Sequence, residues 1–204
     1  MYTWYWHITL PHCSSLSVAH SLLFSSSTLN EKLENINVGG ILPFELQSLD
    51  KLEVLHVEEG RTRGTIPSEF GNIKKLKELD LNFNQISGQI PESIFKLRDL
   101  IELDLNDNRL SGELGERIGD MPNLQFLQLQ NNQMSGQLPD TLGKLSRLVI
   151  LNVDENQFTG AMPQSVCERR DVNGGRLTSL TADCLNPQDK FYVQCDIPDI
   201  CIMC

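Results

Sequence analysis

Glu78 and Glu102 stand 24 residues apart, as do His56 and Asp80, and acid–base chemistry would be sought first at these pairs. Two carboxylates about 5 Å apart can hydrolyse a glycoside with retention, one as acid and the other as nucleophile. A histidine beside an aspartate can act as a general base, but it needs a nucleophile, and no serine or cysteine accompanies His56. Cys201-x-x-Cys204 has metal-ligand spacing, and Cys184 with Cys195 would complete a four-cysteine set. One C-x-x-C without a second pair is weak, so no metal is expected. H-E-x-x-H, G-x-S-x-G and the P-loop are all missing from the sequence.

The interval of 24 belongs to much of the chain. Leucines recur at 52, 76, 100, 124 and 148, each opening a similar segment: LEVLHVEEGRTRGTIP, LKELDLNFNQISGQIP, LIELDLNDNRLSGELG, LQFLQLQNNQMSGQLP and LVILNVDENQFTGAMP. LENINVGGILP, from Leu33, is a shortened version, so six coils of a solenoid are expected. In each, L-x-x-L-x-L reads as a short strand with its leucines facing inward. Asn84, Asn108, Asn132 and Asn156 fall among inward positions and must be hydrogen-bonded, with the backbone of a tight bend as the natural partner. Glycines 64, 88, 112, 136 and 160 suit positive φ or close approach. Prolines 67, 91, 139 and 163 fix an extended return. Phe70, Ile94, Ile118, Leu142 and Val166 then fill the far side. No coil can bury its own apolar face, so stacking has to create the core.

The repeat weakens the enzyme readings. Any residues at the position of Glu78 and Glu102 would lie about one strand spacing apart. An open sheet also lacks the pocket that raises an acid's pKa. Neither catalysis nor a cofactor is expected.

L-x-x-L-x-L-x-x-N-x-L-[ST]-G-x-[IL]-P over 24 residues resembles the plant-type leucine-rich repeat, and the resemblance runs from about Leu33 to Val166. The chain looks like the ectodomains of leucine-rich repeat receptor-like proteins and like small secreted relatives of the polygalacturonase-inhibitor kind. The resemblance implies an α/β fold, a right-handed solenoid whose curved parallel sheet recognises peptides, proteins or glycans on its concave side. Two departures stand out: Gly60 replaces the ladder asparagine of the first full coil, and Gly115 replaces the proline of the third.

Three regions are expected: an irregular N-terminal segment or incomplete cap (1–32), the array (33–171) and a cysteine-rich C-terminal cap (172–204). Residues 1–30 contain no Asp, Glu, Lys or Arg, and they lack the basic and compact apolar parts of a secretory signal, the alternative reading. Cys167, Cys184, Cys195, Cys201 and Cys204 suit a disulfide-stapled cap in an oxidising compartment, with connectivity open. An extracellular or cell-surface setting is therefore expected. No N-x-[ST] sequon occurs, which is equally consistent with an intracellular scaffold.

The formal charge of −10 excludes a general nucleic-acid binder, and no run of 18 apolar residues is present to cross a membrane. The residues between the inward leucines should line the concave face. Those expected to bind ligand are His56, Glu58, Glu78, Asp80, Phe83, Glu102, Asp104, Asp107, Phe126 and Gln128. Acids dominate the first three full coils, and Phe83 and Phe126 have the character of interface anchors. The reading is recognition of a protein or peptide, basic by charge complementarity, or of a glycan. An intracellular regulatory subunit and a secreted inhibitor of a wall-degrading enzyme are the alternatives.

Overall fold

The computed structural model describes residues 32–34, 40–58, 60–169 and 176–183. Seven short strands form one parallel sheet: β1 (Lys32–Leu33), β2 (Val54–His56), β4 (Glu78–Asp80), β6 (Glu102–Asp104), β8 (Phe126–Gln128), β10 (Ile150–Asn152) and β12 (Ser179–Thr181). Their register repeats the 24-residue period, so that Leu55, Leu79, Leu103 and Leu127 pair in turn, then Leu151. At the usual strand spacing of about 4.8 Å, the sheet is roughly 30 Å long. Its three inward leucine positions per coil are almost wholly inaccessible, as at Leu76, Leu79 and Leu81.

A second parallel sheet runs alongside, formed by β3 (Arg63–Gly64), β5 (Gln85–Gly88), β7 (Arg109–Gly112), β9 (Gln133–Gln137) and β11 (Gln157–Thr159). It follows each ladder asparagine, where the sequence reading expected only a bend. Each of these strands includes or abuts the conserved-spacing glycine, whose φ lies between 79 and 89° in all five coils. That region is open to glycine at little strain. Prolines 67, 139 and 163 then hold extended backbone, with ψ between 128 and 139°. The convex side is built from 3₁₀ turns (Phe44–Ser48, Ser68–Asn72, Ile94–Lys96, Glu116–Asp120 and Asp140–Lys144), and the one α-helix among the described residues, α1, is Gln164–Cys167. Turns of three to five residues are what a 24-residue coil leaves room for after two strands.

Four asparagines stitch the coils together. Asn108 donates from Nδ2 to the carbonyls of Leu81 in the preceding coil (2.8 Å) and of Leu105 and Asn106 in its own. Its Oδ1 accepts the Ile86 N–H at 2.9 Å. Asn84, Asn132 and Asn156 repeat the pattern, the Oδ1 of Asn84 accepting from Thr62. At Gly60, where the asparagine is missing, a Cβ would come within 2.7 Å of Asn84 Oδ1. Thr62, fully buried in that coil, leaves its hydroxyl without a partner.

The sheet continues beyond residue 171, the expected end of the array, because β12 pairs with β10. Asp183 follows. Within the array, the N–H groups of the two residues at each tight bend donate to carbonyls of the next coil, as Asn131 does to Asp154 and Asn132 to Glu155. At the bend after β10 the acceptor is a side chain instead. The carboxylate of Asp183 takes over, accepting from Glu155 N at 2.7 Å and Asn156 N at 2.9 Å. Cys167 is buried at the end of α1. The other disulfide candidates, Cys184, Cys195, Cys201 and Cys204, lie outside the described residues, as do most of the N-terminal segment and Glu59.

Candidate functional site

The sheet register sets two rows on the concave face. One runs Val54, Glu78, Glu102, Phe126, Ile150 and Ser179, and the other His56, Asp80, Asp104, Gln128, Asn152 and Thr181. Exposure departs from the expectation of a solvated surface. Asp80 and Asp104 are only 8% and 5% exposed, and Val54 is buried at the start of the first row. Glu78, Glu102, Phe126 and Gln128 are half-buried.

Burial without a cation is unfavourable to a carboxylate. It pushes the Asp80 carboxyl above its usual range, and Asp104 up to about 7. Hydrogen bonds offset part of this. Asp104 Oδ1 accepts from the backbone N–H (3.1 Å) and Nδ2 (2.7 Å) of Asn106, and Oδ2 from Gln128 Nε2 at 2.7 Å. Asp80 Oδ1 accepts from the Asn82 N–H at 3.0 Å, its Oδ2 from Nδ2 at 3.4 Å. Glu102 is raised as well, by burial first and then by Asp80 and Glu78.

His56 was expected to meet Asp80, and the two are register partners, but its ring is engaged elsewhere. Nδ1 lies 3.4 Å from Glu58 and Nε2 lies 3.2 Å from Glu78, the latter not aligned as a hydrogen bond. The imidazole thus lies between the first two acidic positions. No Lys, Arg or His of the described residues pairs with Asp104.

Phe83 and Asp107 do not belong to the strands. They occupy the bend after β4 and β6, with φ of 49 and 51°, as do Asn131 and Glu155 in later coils. Asparagine and aspartate tolerate this left-handed backbone, whereas a bulky aromatic there is an outlier. Phe83 is also 54% exposed. Asp107 accepts a hydrogen bond from Asn131 Nδ2 in the next coil.

A third row had no signal in the sequence beyond its concave spacing. Asn82, Asn106 and Gln130 occupy one position in successive coils, and Asn152 lies close by in the next strand. The side-chain oxygens of all four are buried with no hydrogen-bond partner. Spacing placed these residues on the concave side, but only geometry shows that their oxygens are unsatisfied.

Models of the leucine rich repeat match residues 50–110 and 123–145. No curated protein matches the chain. Among solved structures, the ectodomain of the membrane receptor kinase GASSHO1/SCHENGEN3 from Arabidopsis thaliana, in complex with CASPARIAN STRIP INTEGRITY FACTOR 2, is 37% identical with a TM-score of 0.70, over 74% of this chain and 18% of that one. The Arabidopsis receptor kinase HAESA, in complex with the peptide hormone IDA and the co-receptor SERK1, is 32% identical with a TM-score of 0.67, over 74% and 25%. The ectodomain of the receptor kinase SOBIR1 from Arabidopsis thaliana is 28% identical with a TM-score of 0.57, over 64% and 69%. The chain spans a quarter or less of the first two receptors' length. Repeat, register and neighbours agree: the chain is a leucine-rich repeat protein of the plant type.

Proposed function

We propose that this chain recognises a peptide or protein ligand along its concave sheet, without catalysis, in an extracellular or cell-surface setting. The observation that carries the reading is the continuous row of half-buried and buried acids from Glu58 to Asp104, flanked by Phe83 and Phe126. A surface that holds carboxylates above their usual pKa range gains most from a partner bringing positive charge. The ligand is therefore basic where it meets coils one to three. Phe126 and exposed, strained Phe83 supply apolar contact, since large aromatics are the usual anchors of such interfaces. The similarity to the receptor kinase HAESA, solved in complex with the peptide hormone IDA, supports a peptide as the ligand. Residues 33–171, extended by β12, act as the recognition array, and the flanking segments close its ends.

A display of basic, neutral and acidic dodecapeptides tests this. Basic peptides should be retained by the natural chain and lost from Phe126→Ala combined with Asp80→Asn and Asp104→Asn, while circular dichroism shows the fold intact. Equal retention by that folded triple variant would overturn the reading.

A further inference from the structure

We propose that Asp104, Asn106, Gln130 and Asn82 form a seat for one arginine side chain of the ligand. The inference rests on the concave-face reading above and specifies its chemistry.

The reasoning is an account of donors. On the concave side, apart from the ladder, the side-chain amide N–H groups with a partner are directed to carboxylates: Asn82 to Asp80, Asn106 and Gln128 to Asp104, Asn131 to Asp107. What remains unmet is acceptors. The oxygens of Asn82, Asn106 and Gln130 have no partner, and Asn106 is only 7% exposed. A buried polar atom without a partner is unfavourable by about 1–3 kcal/mol, and three at the same position of successive coils are not random defects. The missing component has to be rich in donors and free of acceptors.

Charge narrows it further. Asp104 has no cationic partner among the described residues, whereas His56 serves Glu58 and Glu78 at the other end of the row. No three His, Cys, Asp or Glu side chains among the described residues converge as metal ligands. An organic cation fits instead. Three unpaired amide oxygens beside the Asp80 and Asp104 carboxylates exceed the three donors of an ammonium, and suit the five of a guanidinium. The planar fork also spans acceptors on neighbouring strands about 4.8 Å apart, which a point charge matches less well. The amide oxygens are covered in the unliganded sheet. The last torsion of Asn and Gln is broad and soft, so a donor arriving at Asp104 can turn the neighbouring amide oxygens toward itself.

The test uses the full chain with hexa-arginine, hexa-lysine and hexa-citrulline, measured by titration calorimetry at low salt. Hexa-arginine should bind at least tenfold tighter than hexa-lysine, with hexa-citrulline silent. Asn106→Leu should bring hexa-arginine down to the hexa-lysine level. Gln130→Leu reports the same loss if Asn106→Leu does not fold. Equal binding of the two cations, lost in Asp80→Asn with Asp104→Asn, would overturn the seat while leaving the acidic recognition face standing. An arginine preference that survives both leucine variants would also overturn it, and would place ordered water, not ligand, on the unpaired oxygens. No binding of either cation would overturn both the seat and the basic-ligand reading.

Discussion

Two rows of amides, both repeating every 24 residues, meet opposite fates. The ladder (Asn84, Asn108, Asn132 and Asn156) has every side-chain oxygen and nitrogen bonded to backbone. The concave row (Asn82, Asn106 and Gln130) keeps buried oxygens with no partner. Asn82 and Asn84 are two residues apart. Periodicity therefore does not separate a satisfied polar row from an unsatisfied one; the hydrogen-bond inventory does. A satisfied row stabilises the coil, and an unsatisfied row is where the proposed ligand would find its acceptors.

The sharpest way to break this contrast is to remove one member of each row. Asn108→Ala strands the Ile86 N–H and takes one donor from the carbonyls of Leu81, Leu105 and Asn106, which keep Asn84 Nδ2, Asn132 Nδ2 and the Phe83 N–H, and should lower stability by about 2–3 kcal/mol. Asn106→Ala removes one hydrogen bond to Asp104 together with an unpaired oxygen, and should change stability by less than about 1 kcal/mol. Urea unfolding of the two variants decides it; comparable losses would erase the distinction.

The next prediction uses pH. Asp104 is raised from its ordinary 3.8 to about 7, with burial the main cause. Between those values the folded chain holds a proton that the unfolded chain has released. Stability contributed by this group is therefore greatest at low pH and falls as pH rises toward 7, by up to about 1.4 kcal/mol per unit and at most about 4 kcal/mol in all, then levels off. Asp104→Asn should flatten that part of the profile in thermal unfolding between pH 4 and 8. A cationic ligand favours the ionised carboxylate, so its binding below pH 7 should release protons, read as a buffer-dependent heat. A ladder variant should keep both signatures, because Asp104 is intact.

Most of the fold was legible because a solenoid writes its period into the sequence. Inward leucines, the ladder, the positive-φ glycines and the extended prolines each follow from residue type at a fixed place in the coil. The concave face was legible only as a list of positions. Burial of Asp80 and Asp104 depends on neighbouring coils, and nothing local records it. The second sheet was missed because QISG and RLSG alternate too briefly to mark a strand. Asp183 was missed because a side chain standing in for backbone carbonyls leaves no periodic signal. Replacing it by alanine should uncover the N–H groups of Glu155 and Asn156 and lower stability by about 2 kcal/mol. Hydrogen exchange should show the loss concentrated in β10 and β12, with the acidic coils unaffected.

The smallest expected effect concerns why Gly115 stands where other coils have proline. Its backbone, φ −64 and ψ 144°, already suits proline. The obstacle is lateral: a Cβ there would come within 2.0 Å of Glu92 Oε1 and 3.2 Å of Phe95 Cε2. In three other coils the position of Phe95 holds Gly71, Gly119 or Gly143, and the next coil has Pro91, Pro139 or Pro163; the shortened first coil has the flexible Gln47, with Pro67 in the next. Phe95 is 1% exposed, so the ring is core, and Gly115 is the space it requires. The departure from the repeat is thus half of a compensated pair, visible only when two adjacent coils are compared. Glu92 is flexible and can swing away, whereas Phe95 cannot. Gly115→Pro alone should therefore gain none of the roughly 0.4–1 kcal/mol that a compatible proline brings. In a Phe95→Ala background it should recover that gain, giving a coupling of about 0.5–1 kcal/mol in a double-mutant cycle. An additive cycle would mean that the glycine is unrelated to the ring. A coupled one would show that the array keeps its period by trading bulk between neighbours, on the face opposite the one proposed to meet the ligand.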